Sequence, residues 1–243
     1  MWKSIFKVIG ATTLFAVAHS AMASRQAKQL AHRLTGERQR NAFYRPFYLA
    51  QSAACLGGLY LYTRGLPDKV IYHIRPPFAG FMQVARIASV GYAVYAARQV
   101  GVGRMLGVPG LKAWMAGEAQ VPREPEAQGP RLAADGELKV TGPFRASRHP
   151  LNLSPLPVFW LAPKMTANLA TFNFVSTLYL VIGSMHEERR LRNAYGQAYE
   201  DYQKGGVAFY LPGRTGKALD LSRSRPGEKI ALRTDELGFL AQP

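Results

Sequence analysis

Five runs with little or no charge, strung between short basic loops, constrain this chain more than any other feature. Eighteen uncharged residues lie between Arg45 and Arg64, 21 between Lys164 and His186, and 14 between His149 and Lys164. Two further runs, 5–23 and 76–97, are interrupted only by Lys7 and His19 in the first and by Arg86 in the second. A helix needs roughly 20 apolar residues to cross a bilayer, and the 21-residue run meets that alone. Any single run also fits a buried core helix. All five in one chain predict an all-α fold, a helical integral membrane bundle of about five membrane segments at 5–23, 46–63, 76–97, 151–163 and 166–185.

Charge points the same way. A net +16 over 243 residues would ordinarily suggest nucleic acid as a partner. Here the first 117 residues hold only two acids, Glu37 and Asp68, and the basic residues gather between apolar runs instead of along one face. That is the positive-inside pattern of a membrane protein, so no nucleic acid is expected. Arg25, Lys28, Arg33, Arg38, Arg40 and Arg45 then lie in the cytoplasm with the loop 99–149, while the loop 64–75 lies outside. The expected location is a bacterial inner membrane, multi-pass, with the N-terminus outside and the C-terminus cytoplasmic. Lys3 and Lys7 ahead of an apolar stretch ending Ala21-Met22-Ala23 also resemble a cleaved signal peptide, which would put the loop 24–45 outside, against the charge bias. The lone Cys55 sits in an apolar run and is expected to be a buried small hydrophobe; no disulfide or metal site is expected.

Chemistry concentrates in 142–212. The segment 151–163 is short for a perpendicular crossing, and Pro155, Pro157 and Pro163 each remove a backbone donor, so a bent or tilted helix is expected. Pro163-Lys164-Met165-Thr166 should turn the chain back, so that both ends of the hairpin emerge on the cytoplasmic side. Arg145, Arg148 and His149 would then meet His186, Glu187 and Glu188. Beyond them Leu191, Tyr195, Tyr199 and Tyr202 recur at helical spacing, predicting a surface helix over 186–204 that Gly205-Gly206 stops. Its tyrosines either pack or enclose a flat ligand. Neighbouring helical positions diverge by about 100°, so Glu187 and Glu188 are not expected to face one point, and Glu187 is slightly favoured as the closer ligand. Arg86 either faces the bundle interior, near an anionic head group, or snorkels to an interface. Residues 1–212 form one expected domain, 116–136 a loop, and 213–243 a loosely ordered cytoplasmic tail.

The strings GPFRASRHP, MTANLATFNFVSTLYLVIGSMHEERRL and YGQAYEDYQKGGVAFYLP together resemble the C-terminal half of the isoprenylcysteine carboxyl methyltransferase and phospholipid N-methyltransferase superfamily. AHSAMASRQAKQLAHRL and FYRPFYLAQSAACLGGLYLY are similar to its bacterial NnrU-type branch, so the resemblance covers about residues 10–212. It implies a membrane enzyme that transfers a methyl group from S-adenosylmethionine at the cytoplasmic face to a membrane lipid or other lipophilic acceptor. By position, Arg148 and His149 would be catalytic, and Arg145, Arg148, His149, Glu187, Glu188 and Tyr199 would bind the cofactor. Arginines suit the cofactor's carboxylate, and carboxylates its ammonium or ribose hydroxyls. His149 would position the cofactor or act as a base. Where relatives carry Arg-His-Pro-x-Tyr-x-Gly this chain has RHPLNLS, with Asn152 and Ser154, and Val207-Ala208 stands where Val-Pro is common. These changes bear on acceptor choice and on turnover. The NnrU-type branch also implies an alternative, a haem b held by His19, His149 or His186. A third reading is a non-catalytic subunit of a membrane complex. The plain alternatives are that Arg145 and Arg148 anchor to lipid phosphates and that the Glu pair forms ion pairs with Arg189 and Arg190.

Overall fold

A computed structural model describes residues 1–124, 128–133 and 136–211. Pro212 and the expected tail lie outside the described residues, as do parts of the 116–136 loop. Four long helices dominate: α1 (Trp2–Ala23), α3 (Glu37–Arg64), α4 (Phe78–Val100) and α9 (Ala167–Tyr195). Helix α1 packs against both α3 and α9, and α4 packs on a broken pair of short helices, α7 (Pro150–Leu153) and α8 (Pro155–Trp160).

The exterior of this bundle is apolar and its interior polar or small. Phe6, Leu14, Phe81, Ile87, Leu178 and Ile182 point outward, between 48 and 71% exposed. Ser4, Val8 and Thr12 of α1, Ser89 and Ala96 of α4, and Asn168, Asn173 and Ser184 of α9 point inward. A water-soluble bundle is built the other way round; small inward residues and polar cross-links suit helices packed in lipid. Two of the described helices, α1 and α9, are long and apolar enough to cross a membrane by length and composition. The all-α expectation thus holds in the main, whereas the five-span count does not follow from these elements. Cys55 is exposed, contrary to its expected burial, because its face of α3 joins the apolar exterior.

Polar side chains tie the helices together. His19 of α1 reaches Ser52 Oγ at 2.9 Å and Tyr48 OH at 2.6 Å on α3. Ser20 donates to Tyr179 of α9, and Tyr44 donates to the Met22 carbonyl. At the opposite end of the bundle two short strands, β1 (Val70–His73) and β4 (Lys164–Thr166), pair antiparallel, so the hairpin turn expected at 163–166 is a strand edge. The Thr166 side chain and Asp68 accept the Leu169 and Asn168 amides and so cap the start of α9.

Proline explains the break between α7 and α8. Pro155 and Pro157 bring no N–H, so the segment cannot run as one regular helix, and carbonyls at the break and in the last turn of α8 take side-chain donors. Ser89 Oγ donates to Ser154 O at 2.6 Å, Arg86 Nε to Val158 O at 3.1 Å and Asn173 Nδ2 to Phe159 O at 2.6 Å. Arg86 therefore faces inward, also bonding Gln83, and serves the backbone of α8. Arg86→Leu is expected to strand the Val158 carbonyl and lower stability by about 1–3 kcal/mol. Thermal unfolding in detergent would show it as a reduced midpoint, whereas a merely snorkelling arginine would leave the midpoint unchanged.

The basic stretches expected as loops carry helices: α2 (Arg25–Thr35), α5 (Val102–Leu106) and α6 (Val108–Met115). Buried Glu124 pairs with Lys28 and Arg40, fastening the loop after α6 to α2 and α3. A two-residue hairpin, β2 (Arg131–Leu132) with β3 (Leu138–Lys139), leads to a 3-10 turn at Gly142–Arg145. Gly142 has φ 54°, and a Cβ there would stand 2.9 Å from the Tyr95 hydroxyl, so the leading glycine of GPFR lets this turn lie against α4.

Candidate functional site

The site forms where the chain leaves the 3-10 turn and enters α7. Pro150 at the first position of α7 pushes His149 out of the helical region, to φ −126° and ψ 58°, which fits a residue preceding proline. Its ring turns inward and is buried, 1% exposed. There it meets α9 past that helix's apolar stretch. Nδ1 lies 3.2 Å from Glu187 Oε2, and Nε2 lies 3.3 Å from Glu188 Oε1. The expected divergence of Glu187 and Glu188 is real at the backbone, but the imidazole is wedged between them and presents one nitrogen to each. Each ring nitrogen thus has a carboxylate oxygen within hydrogen-bond reach.

Arg148 completes the cluster. Its Nε donates to Glu188 Oε1 at 2.7 Å and its Nη1 to the Val207 carbonyl at 2.5 Å. Burial pulls the Glu188 carboxyl upward, but the Arg148 hydrogen bond and charge, with His149, outweigh it and hold the group below the usual carboxylate range. Glu187 is saturated differently. Its Oε1 accepts the Gln128 amide at 2.8 Å, and its Oε2 also accepts from Asn152 Nδ2 at 3.3 Å.

A strap closes over these groups. After α10 (Gln197–Lys204) the chain passes back along the Arg-His segment, where Arg148 N–H bonds Ala208 O and Ser147 Oγ bonds Phe209 O. The Phe209 ring lies 4.8 Å from the His149 ring and 5.7 Å from the Arg148 guanidinium carbon. Tyr210 follows, its ring edge-on to His149 at 6.3 Å and its hydroxyl 2.8 Å from Ser184 Oγ. Asn152 donates to the same Ser184 oxygen at 2.8 Å.

Of the residues expected here, the structure joins Arg148, His149, Glu187 and Glu188. Arg145 is exposed and bonds the Val140 carbonyl, and His186 is exposed on α9. Of the two readings of the tyrosine stripe, the structure shows packing: the helix expected over 186–204 breaks at Gly196, and Leu191, Tyr199 and Tyr202 are core residues packed with Phe144 and Val207. Tyr202 donates to the Phe144 carbonyl at 2.5 Å, pinning α10 to the 3-10 turn. Burial raises the phenols of Tyr199 and Tyr202 above their ordinary range. The Tyr199 hydroxyl is buried without a hydrogen-bond partner among the described residues, within the field of Glu188 and Arg148. Asn152, Ser184, Gln128, Phe209 and Tyr210 were not expected as site residues. Asn152 stood out only as a departure from a motif, and no sequence signal marked the others.

Haem gains nothing from this arrangement. Both ring nitrogens of His19 and of His149 already face hydrogen-bonding partners, so neither offers a free lone pair to iron without rearrangement.

Fold and site together define a helical bundle of membrane-protein character with a buried Arg-His-Glu-Glu cluster near one end. No family model and no solved structure matches the chain. It is similar to a methanethiol S-methyltransferase of Pseudomonas deceptionensis, 34% identical over 87 residues, a match covering 36% of this chain and 33% of that protein. Against a methanethiol S-methyltransferase of Pseudomonas sp. (strain GM41(2012)) the identity is 28% over 204 residues, 83% of this chain and 71% of the relative. Methanethiol S-methyltransferase 1 of Bradyrhizobium diazoefficiens is 38% identical over 71 residues, 29% of this chain and 25% of its own length. Most of the first and third relatives thus lies outside the match. The three support the isoprenylcysteine carboxyl methyltransferase-like superfamily and, in general terms, a methyltransferase activity.

Proposed function

We propose that this chain is an integral membrane, S-adenosylmethionine-dependent methyltransferase whose acceptor is a small lipophilic thiol, and that it works at the cytoplasmic face of a bacterial inner membrane. The observation that carries this reading is the His149-centred cluster, which unites two motif fragments far apart in sequence. The named activity of the relatives supplies the thiol. In this reading α3, α4 and the broken α7–α8 hairpin are embedded along with α1 and α9, and the N-terminal half follows the NnrU-type plan.

The residues fit the methyl donor. Arg148 would pair with its carboxylate, and Glu187 and Glu188 with its ammonium or ribose hydroxyls. The unpartnered Tyr199 hydroxyl, buried beside Glu188 and Arg148, is a polar atom that a bound ligand would satisfy. S-adenosylmethionine supplies, when bound, a methyl group on a sulfonium centre that is open to in-line displacement. The chain's own contribution is positioning and electrostatics. His149 holds the two carboxylates at fixed separation, and the thiol enters as its thiolate, its proton left in the water outside the site. Phe209 and Tyr210 cover the site and keep water from it.

Purified protein in detergent or nanodiscs, given methyl-labelled S-adenosylmethionine and methanethiol, is expected to release labelled dimethyl sulfide. Product from no thiol of one to four carbons would overturn the acceptor assignment. A catalytically silent subunit would bind the donor, if at all, without any product.

A further inference from the structure

We propose that the Gln128 N–H is a positioning group for the methyl donor, held over α9 by the close packing of Gly129, an inference that rests on the reading of Glu187 as a ligand of that donor. The direction of its bond is fixed. A backbone N–H can only donate, and Glu187 Oε1 accepts it at 2.8 Å. Glu187 and Leu191 stand one turn apart on the same face of α9. Gln128 meets the first and Gly129 the second, so two consecutive residues follow two consecutive turns of the helix. A Cβ at Gly129 would stand 2.6 Å from Leu191 Cδ2 and 3.1 Å from Cδ1. Leu191 has no room to give way, being 0% exposed in the core cluster with Phe144 and Tyr199. Only glycine lets the backbone come this close.

The chain is tied down on both sides of this contact. Upstream, Asn41 Nδ2 donates to the Val121 carbonyl at 2.9 Å, and Lys28 and Arg40 pair with buried Glu124. Downstream, Pro130 is buried and Arg131 Nε donates to the Val100 carbonyl at 3.3 Å. The two oxygens of Glu187 are used differently. Oε2 faces both His149 Nδ1 and Asn152 Nδ2. Among the described residues Oε1 takes one donor, the Gln128 N–H, whereas a carboxylate oxygen can accept two. The Glu187 side chain is 16% exposed, so Oε1 is the acceptor left for the ammonium or a ribose hydroxyl of S-adenosylmethionine. The Gln128 N–H fixes where that oxygen points. It therefore acts on the methyl donor through Glu187 and leaves the thiol alone.

An amide-to-ester exchange at position 128 removes the N–H and keeps the side chain. The expected result is a roughly 10-fold rise in KM for S-adenosylmethionine and in Kd for S-adenosylhomocysteine, with KM for methanethiol within about twofold of the parent. Gly129→Ala, which pushes the same N–H away from Glu187, should move the donor constants in the same direction. If the segment merely braces the bundle, both variants would raise the two KM values and lower the unfolding midpoint in parallel, and the proposal would be wrong. An unchanged donor KM in the ester variant would also overturn it, and that variant decides alone if Gly129→Ala does not fold. Failure of the parent protein to bind S-adenosylhomocysteine would instead remove the donor-site reading itself, and the role of Gln128 with it.

Discussion

Arg148→Ala is expected to abolish detectable S-adenosylhomocysteine binding and to lower the unfolding midpoint sharply. Three contacts go at once: the 2.7 Å bond to Glu188, the 2.5 Å bond to the Val207 carbonyl, and the guanidinium over Phe209. The Arg148 and Glu188 side chains are only 16% and 13% exposed, so removing the cation leaves a mostly buried carboxylate short of its strongest partner. Breaking such a pair costs about 3–5 kcal/mol, with the lower end appropriate because His149 still touches Glu188. The strap also loses its side-chain hold on Arg148, keeping the Arg148 N–H bond to Ala208 O and the Ser147 bond to Phe209 O. Arg148→Lys restores charge but not the two-directional guanidinium, so it should recover part of the stability and little of the binding. Calorimetry and thermal unfolding of the two variants, side by side, check this; a neutral Arg148→Ala would mean that Arg148 is a surface anchor for lipid phosphate.

His149→Gln should be nearly as severe. The imidazole serves two carboxylates from opposite ring edges, 3.2 and 3.3 Å away. A glutamine amide offers donors at one atom only, and its oxygen would face the other carboxylate. Methyl transfer is expected to fall by at least about 100-fold, the scale on which lost positioning is felt. Pairing His149→Gln with Glu187→Gln would give a coupling energy of about 0.5–3 kcal/mol if the two act as a unit. Additive losses would contradict the wedge.

Much of this architecture is legible from residue pattern because bilayer length and charge bias act on whole segments. The end of α3, the extent of α4 and the break at Pro155 follow from runs and prolines, whereas α3 starts at Glu37, inside the stretch read as a loop, and the break at Gly196 falls inside the helix expected over 186–204. What the pattern hides is set by tertiary contact. The β1–β4 pairing joins residues nearly a hundred apart, in segments too short to show alternation. Helices α2, α5 and α6 are short, and they hold because α3 gives all three something to pack on, with Glu124 adding a tie to α2. At the site, Arg148, His149, Glu187 and Glu188 stood out as clustered charge beside apolar runs. The same spacing left Tyr199 open between packing and enclosing a ligand, since a stripe at 191, 195, 199 and 202 does not say which side faces water. Arg86 stayed open between the bundle interior and an interface, because its partner, the Val158 carbonyl near the end of α8, lies more than seventy residues away. Asn152 was visible only as a missing tyrosine, because its partner Ser184 lies more than thirty residues away.

Titration of S-adenosylhomocysteine into the detergent-purified protein tests most directly whether the His149 cluster is the methyl-donor site. The expected outcome is binding with a Kd on the order of micromolar, lost in Glu187→Gln and in His149→Gln while both variants still unfold cooperatively. No heat of binding in the parent, or equal affinity in all three proteins, would contradict it.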